Sequence, residues 1–282
     1  MKKIIITTDC VSDISETLLN KYDIKVIYFY IVTEHGWFKD MEEITSGNII
    51  EYFERGGSRV QTKAPFPEEY REFFGQVLTE GDELLHVSVT STLSMSYQNA
   101  LIAASEFGGR VHVVDSGHLS SGMTHLVVKA SEFAQQGMEI KEIVEKLERM
   151  KHRISTSFIA EDANYLYRTG RVGKCVKNLC EMLKIHPVLG MRKGVMCLKS
   201  VRVGNYEKAV LRYARGQLRW GSSVEKERIF ITHAGCSLKL IAAVKKEVVK
   251  RGPFVEMQVT EASATITSNC GANTIGVLFV RE

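Results

Sequence analysis

The chain has 282 residues and a mass of 31.7 kDa, enough for about two domains at roughly 150 residues each. Hydrophobic residues make up 44% and charged residues 25%, a balance that excludes a disordered or membrane-embedded chain. Thirty-seven basic residues face 33 acidic ones, and a net charge of +4 is too weak a field to argue for a nucleic-acid partner.

The six cysteines are Cys10, Cys175, Cys180, Cys197, Cys236 and Cys270. None forms a C-x-x-C pair, and no histidine cluster has metal-ligand spacing. They read as reduced thiols of a cytoplasmic protein with no metal or cofactor. The apolar start, Met1-Lys2-Lys3-Ile4-Ile5-Ile6, gives way to Thr7-Thr8-Asp9 too soon for a signal peptide. No apolar run approaches the ~20 residues of a membrane span, so no stable membrane insertion is expected.

In chain order, residues 3–6 read as a buried strand, 14–22 as a helix and 25–32 as a second strand. Residues 67–78 carry Tyr70, Phe73, Phe74 and Val77 at helical spacing. Strands follow at 84–89 and 110–114, with a helix over 95–107 between them and helices over 121–136 and 140–152 behind. Short apolar strands alternating with amphipathic helices predict a parallel sheet covered on both faces.

The second half changes character. Residues 162–168 and 174–183 read as helices. Residues 187–191 and 195–200 flank Arg192-Lys193-Gly194 and predict a hairpin. Helices are expected at 206–219 and 238–251, and strands at 228–232, 255–260 and 275–280. The fold class is therefore α/β in two domains: a parallel-sheet α/β domain over 1–155 and an α+β domain over 156–282.

Polar residues gather where three strands end. The first ends in Thr7-Thr8-Asp9-Cys10. The third runs into Ser88, Thr90, Ser91, Thr92, Ser94, Ser96 and Tyr97, seven hydroxyls before and inside a helix start. The fourth ends in Asp115-Ser116-Gly117-His118. In open parallel sheets, ligands bind beyond the carboxyl ends of strands where the strand order reverses. A helix start with unpaired N–H groups favours an anion there, and neutral hydroxyls add donors. Helix caps and turns account for any one of these segments alone.

A hydrolase would need Ser94 or Ser120 with His118, but no G-x-S-x-G elbow is present. Gly170-Arg171-Val172-Gly173-Lys174 lacks the spacing of a phosphate loop. Arg168, Arg171, Lys174 and Lys177, with Lys184 nearby, form either a solvated helical face or a basic patch for an acidic partner or a phosphate.

Several motifs run nearly end to end: Thr8-Asp9, Thr62-x-x-Pro65, Leu93-Ser94-x-Ser96-Tyr97-Gln98-x-Ala100, and Val114-Asp115-Ser116. They continue through Tyr165-Leu166-x-x-x-Gly170-Arg171-Val172, Leu183-Lys184-Ile185-x-Pro187, Arg202 and Gly271-x-x-Thr274-x-Gly276-Val277. In these residues the chain resembles the DegV family of fatty-acid-binding proteins, which includes the lipid-binding subunits of bacterial fatty acid kinase.

The resemblance implies a non-catalytic protein that holds a long-chain fatty acid in a tunnel between its domains and presents the carboxylate to an ATP-dependent kinase partner. It places the carboxylate on Thr62 and Ser94, with Thr8, Asp9, Ser91 and Ser116 around the site and partner docking at Arg171 and Arg202. The family's C-terminal histidine falls on Asn269, which cannot carry charge, and a usual glycine falls on Met95. Lys63, beside Thr62, is the candidate for the missing positive partner. Tail-lining candidates from the second domain are Phe158, Ile159, Leu166, Leu183, Ile185, Val188 and Leu189. Two other readings stay open: a small serine-type acyl hydrolase, and a lipid-responsive regulator without kinase coupling.

Overall fold

The computed structural model describes residues 3–57, 59–79, 82–161, 163–168, 173–174, 178, 182–218 and 223–282. The chain opens on β1 (Ile4–Asp9), passes through α1 (Glu16–Tyr22) and returns as β2 (Lys25–Ile27), parallel to β1. Ser15 accepts a bond from the Leu18 N–H and caps α1, and Asp23 ends it in the left-handed conformation.

The single strand expected over 25–32 is two. The chain leaves the parallel sheet at Tyr28 and Phe29, where Phe29 N–H donates to Cys10 Sγ and Phe29 O accepts from Asp40 N–H. It then builds a separate antiparallel sheet from β3 (Tyr30–Thr33), β4 (Gly36–Lys39) and β5 (Gln61–Lys63), ordered β4-β3-β5. An apolar run shows that residues are buried but not that the chain turns between them. Helix α2 (Ser46–Glu54) precedes β5 and was also not expected, although its Thr45–Asn48 capping box is readable in sequence.

Next come α3 (Pro67–Val77), β6 (Glu83–Ser88), α4 (Ser96–Ala104) and β7 (Val111–Asp115). The parallel sheet has the order β2-β1-β6-β7. Its register pairs Thr8 with Val87 and Ser88 with Asp115, which brings the three polar strand ends level.

Helices α5 (Ser121–Gln135) and α6 (Ile140–Met150) lead into a larger mixed sheet. Its elements are β8 (Ile154–Ser155), β9 (Ser157–Ile159), α7 (Asn164–Arg168), β10 (Ile185–Arg192), β11 (Val195–Val203) and α8 (Tyr206–Gln217). They are followed by β12 (Val224–Ala234), α9 (Leu238–Val249), β13 (Glu256–Glu261), α10 (Ala264–Cys270) and β14 (Thr274–Arg281). The strand order is β11-β10-β9-β14-β12-β13, with β8 also on β14. Only β12 and β13 pair parallel; the rest are antiparallel. The expected hairpin is β10–β11, turning at Lys193 (φ 51°) and Gly194 (φ 78°), the positive-φ pair that a two-residue hairpin loop requires. Most of the helix expected over 174–183 lies outside the described residues.

Helix α5 explains how the sheets fit together. Nearly all of Ser121–Ser131 is buried, because one face packs on β1 and β6 and the other on β12 and β14. A helix buried all round needs apolar residues all round, and Leu126, Val127, Val128 and Ala130 supply them. The same core holds Ile6, Leu85 and Val114 of one sheet and Phe230, Leu278 and Val280 of the other. His125 Nε2 donates to Leu278 O, and burial pushes its pKa down to about 3, so it stays uncharged.

Gly122 lets α5 approach the mixed sheet: a Cβ there would lie 2.0 Å from Thr156 Oγ1, which is itself bonded to His118 Nδ1. Gly122→Ala is expected to destabilise by about 1–3 kcal/mol in urea unfolding. Gly75→Ala, at an exposed position of α3 with open space around it, is the contrast and should stabilise by about 0.5–1 kcal/mol. Equal effects would mean that close approach is not what glycine provides at 122.

Candidate functional site

Beyond the N-terminal end of α5, a cavity of about 650 Å³ lies between the sheets, lined by described residues of both. It sits at the carboxyl ends of β1 and β6, between which the strand order reverses. Val11, Val89, Leu93 and Leu119 wall it from the parallel-sheet side. Phe158, Ala234 and Leu278 wall it from the mixed sheet, and Ile266 and Cys270 from α10. The size falls within the ~300–1,000 Å³ of small-molecule sites.

Of the tail-lining candidates, Phe158 lines the cavity. Ile159 and Val188 instead face the core under α8 and α9, Leu189 packs on Phe158 from behind, and Leu183 is exposed. Strand alternation turns Ile159 and Val188 to the opposite face of the sheet. Ile185 is only half-buried and does not line it, and the Leu166 side chain lies outside the described residues.

Thr62, Lys63, Ser94 and Asn269 all line this cavity. Asn99 Nδ2 donates to Pro65 O at 2.8 Å, which holds the segment after β5 against the start of α4 and so brings Thr62 and Lys63 beside Ser94. Ser94 Oγ accepts from Ser96 N–H at 3.2 Å, and its own proton finds no acceptor among the described residues. The Thr62 hydroxyl makes no internal hydrogen bond, and Lys63 makes no ion pair. Asn269 Nδ2 donates to Thr265 O at 2.8 Å, which fixes the orientation of its amide. Among the described residues, Lys63 is the one lysine or arginine in the lining, and no aspartate or glutamate is present. Trp37, Phe66 and Met95 line the cavity and are more than half exposed, so they form an apolar rim that sequence reading did not single out as a group.

The other four expected site residues lie off the cavity, because their side chains bond within the protein. Thr8 Oγ1 donates to Val87 O, Ser116 Oγ to His118 O, and Ser91 Oγ to Asp115 Oδ2. Asp9 is the hub beneath the hydroxyl loop. Its Oδ2 accepts from Val89 N–H (2.8 Å), Ser88 Oγ (3.0 Å) and Ser96 Oγ (2.7 Å); its Oδ1 accepts from Tyr70 OH (2.7 Å) and faces His86 Nε2 (3.2 Å). Burial alone would raise this carboxyl, but the donors from His86, Val89 and Ser96 outweigh it and hold Asp9 below the ordinary carboxylate range. The carboxylate fixes the turn that presents Ser94.

The hydrolase arrangement is not assembled. His118 Nε2 faces Lys151 O at 2.8 Å and so carries the proton, while Nδ1 accepts from Thr156 Oγ1 at 2.9 Å. Burial pushes its pKa down to about 4. Ser120 Oγ donates to Asp13, and neither serine meets a histidine. No described His, Cys, Asp or Glu group could hold a metal ion, and no described helix is long and apolar enough to cross a membrane. Arg202 on β11 is half-buried and donates to Ser200 Oγ and Val201 O; Arg171 lies outside the described residues.

Residues 3–282 match the DegV family model, described as "uncharacterised protein, DegV family". A DegV domain-containing protein of Deinococcus radiodurans is 27% identical over 282 residues, covering 97% of each chain. A Thermus thermophilus structure described as fatty acid binding of a DegV family protein superposes with a TM-score of 0.88 at 28% identity, covering 99% of this chain and 100% of that one. A Thermotoga maritima structure described as revealing a fatty acid binding function gives 0.85 at 25% identity, with the same coverage.

Asp9→Ala would leave the Val89 N–H unpaired and take the ionised acceptor from the Tyr70, Ser88 and Ser96 hydroxyls, which keep only their bonds to one another and to Val89 O, at about 1–3 kcal/mol for each charge-assisted bond or buried donor lost. Urea unfolding should register a loss above ~3 kcal/mol; less than ~1 kcal/mol would remove Asp9 from the centre of this network. In the parent protein its contribution is full above the unfolded value of 3.8 and fades as pH falls through the lower folded value.

Proposed function

The chain belongs to the DegV family, and from that premise we propose that it binds a long-chain fatty acid in the cavity between its two sheets. One observation carries the reading: among the described residues, apolar walls meet Thr62 and Ser94, whose hydroxyl protons have no internal acceptor, and Lys63, which has no ion pair, and no acidic residue lines the space. Such a site accepts a hydrocarbon chain ending in a small anion. Burying about 14 methylenes yields roughly 11 kcal/mol gross, before ordering losses. The tail therefore dominates affinity, and Thr62, Ser94 and Lys63 fix where the carboxylate rests. The fatty acids named for the Thermus and Thermotoga proteins support the same ligand class.

The carboxylate lies at the exposed end, beside Lys63 and the Trp37–Phe66–Met95 rim, where a second protein can reach it. In our reading the chain is a non-enzymatic, cytoplasmic carrier that presents this carboxylate to an ATP-dependent kinase. The exposed rim of Trp37, Phe66 and Met95 supports presentation, and the free thiols of Cys10, Cys197, Cys236 and Cys270 support a reducing compartment.

Native mass spectrometry of freshly purified protein should find a bound fatty acid; an empty protein throughout would overturn the reading. Ser94→Ala should weaken fatty-acid binding about tenfold, as for one lost charge-assisted hydrogen bond, whereas Lys63→Ala should weaken it threefold to tenfold because that charge is solvent-screened. An effect of Lys63→Ala below twofold removes the lysine from the headgroup site. Acyl phosphate formation with a fatty acid kinase and ATP tests presentation. Binding without phosphorylation by any such kinase would make the protein a lipid-responsive regulator instead.

A further inference from the structure

One wall of the cavity is tied to the rest of the molecule by two buried carboxyl groups. Helix α10 carries Ile266 and Asn269 into the cavity lining. The N–H groups at its start are bound by aspartates from the other end of the chain. Ser263 N–H donates to Asp13 Oδ1 at 2.8 Å, Ala264 N–H to Asp40 Oδ1 at 2.8 Å and Thr265 N–H to Asp40 Oδ2 at 2.9 Å. The second Asp13 oxygen is hydrogen-bonded to Ser120 Oγ, which donates to the carboxylate and accepts from the protonated carboxyl, and the second Asp40 oxygen also faces Cys10 Sγ at 3.8 Å.

Asp13 is 2% exposed and Asp40 is fully buried. Among the described residues, neither pairs with a lysine, arginine or histidine. The titratable groups that bear on them are each other, Cys10, Asp9 and Cys270, all acids or thiols. Burial pushes the Asp13 carboxyl up to about 7, against the pull of its Ser120 and Ser263 donors, and raises Asp40 as well.

We propose that Asp13 and Asp40 are positioning residues that latch α10, that Asp13 does so in its protonated form, and that an acyl ligand leaves the cavity faster once Asp13 is ionised. The sign follows from linkage. With α10 seated, Asp13 is dry and prefers its proton. With α10 lifted, the carboxyl meets water and regains an ordinary acidity, so lifting releases a proton near neutrality. Opening is therefore resisted below about pH 7 and favoured above it, opposite to the usual loosening of proteins by acid. The identity of the ligand rests on the fatty-acid reading; the latch itself does not.

Two measurements separate the two ideas. The first uses ligand-free protein and follows amide hydrogen exchange at Ser263, Ala264 and Thr265, expressed as protection factors to remove intrinsic base catalysis. Between pH 6 and pH 8, protection should fall about tenfold in the parent protein, as expected when opening releases one proton. In Asp13→Asn it should stay within twofold. Asparagine suits this position, since residue 13 has φ 53° and asparagine tolerates the left-handed region. Its amide oxygen keeps the bond from Ser263, and its NH₂ can donate to Ser120. The second measurement follows transfer of a pre-bound long-chain alkyl sulfonate to vesicles, because a sulfonate does not titrate in this range. Its off-rate should rise with pH in the parent protein and stay flat in Asp13→Asn. Protection in the parent protein that does not change with pH overturns the latch, and so does an unchanged slope in Asp13→Asn. Failure to bind the sulfonate at any pH counts against the fatty-acid reading, and the exchange result still decides the latch.

Discussion

A helix packed between two sheets sets the dimensions of everything else. Because α5 is buried on both faces, the parallel sheet and the mixed sheet must stand apart by its full thickness, about 10–12 Å with side chains. Where α5 begins, at Leu119 and Ser120, that separation continues with no helix to fill it. The cavity is the continuation of the space α5 occupies, so its walls are apolar for the same reason that the core around α5 is apolar.

Polar chemistry enters this apolar space through the strand ends. The parallel register brings Asp9, Ser88 and Asp115 level, and Asp9 then gathers donors from β6 and the residue after it, from α3 and from the start of α4. A carboxylate that accepts so many bonds is spent on structure. Its work is indirect: it holds the loop in which Ser94 keeps one proton unassigned. The same division recurs at α10, where Asp13 and Asp40 are consumed in seating a helix and Asn269 is left to face the cavity. Residues with the strongest chemistry sit one layer behind the ligand space, and weaker donors line it.

Legibility from sequence followed the range of the interaction. The helices at α1, α3, α5 and α6 and the β10–β11 hairpin were readable because capping residues, 3.6-residue spacing and a Lys-Gly turn act within a few positions. Thr62, Lys63, Ser94 and Asn269 were readable through a family resemblance, and all four line one cavity. The break at Tyr28–Phe29 was not readable, since what turns the chain there is a bond to Cys10 and another to Asp40. Helix α10 was missed for a related reason: it is short, and its start is secured by aspartates more than 220 residues away rather than by its own sequence alone.

The sequence by itself determined the class of the fold, the order of most elements and the residue types able to hold a small anion, because patterning, capping and composition are local properties of the chain. Only the tertiary structure decided which of those residues face empty space. Thr8, Ser91 and Ser116 carry the same hydroxyl as Thr62 and Ser94, but their protons are taken by acceptors on neighbouring strands and loops, and the Asp9 carboxylate is likewise filled by donors around it. Whether a hydroxyl is free for a ligand depends on what the rest of the chain places beside it, and that is fixed by packing across the fold.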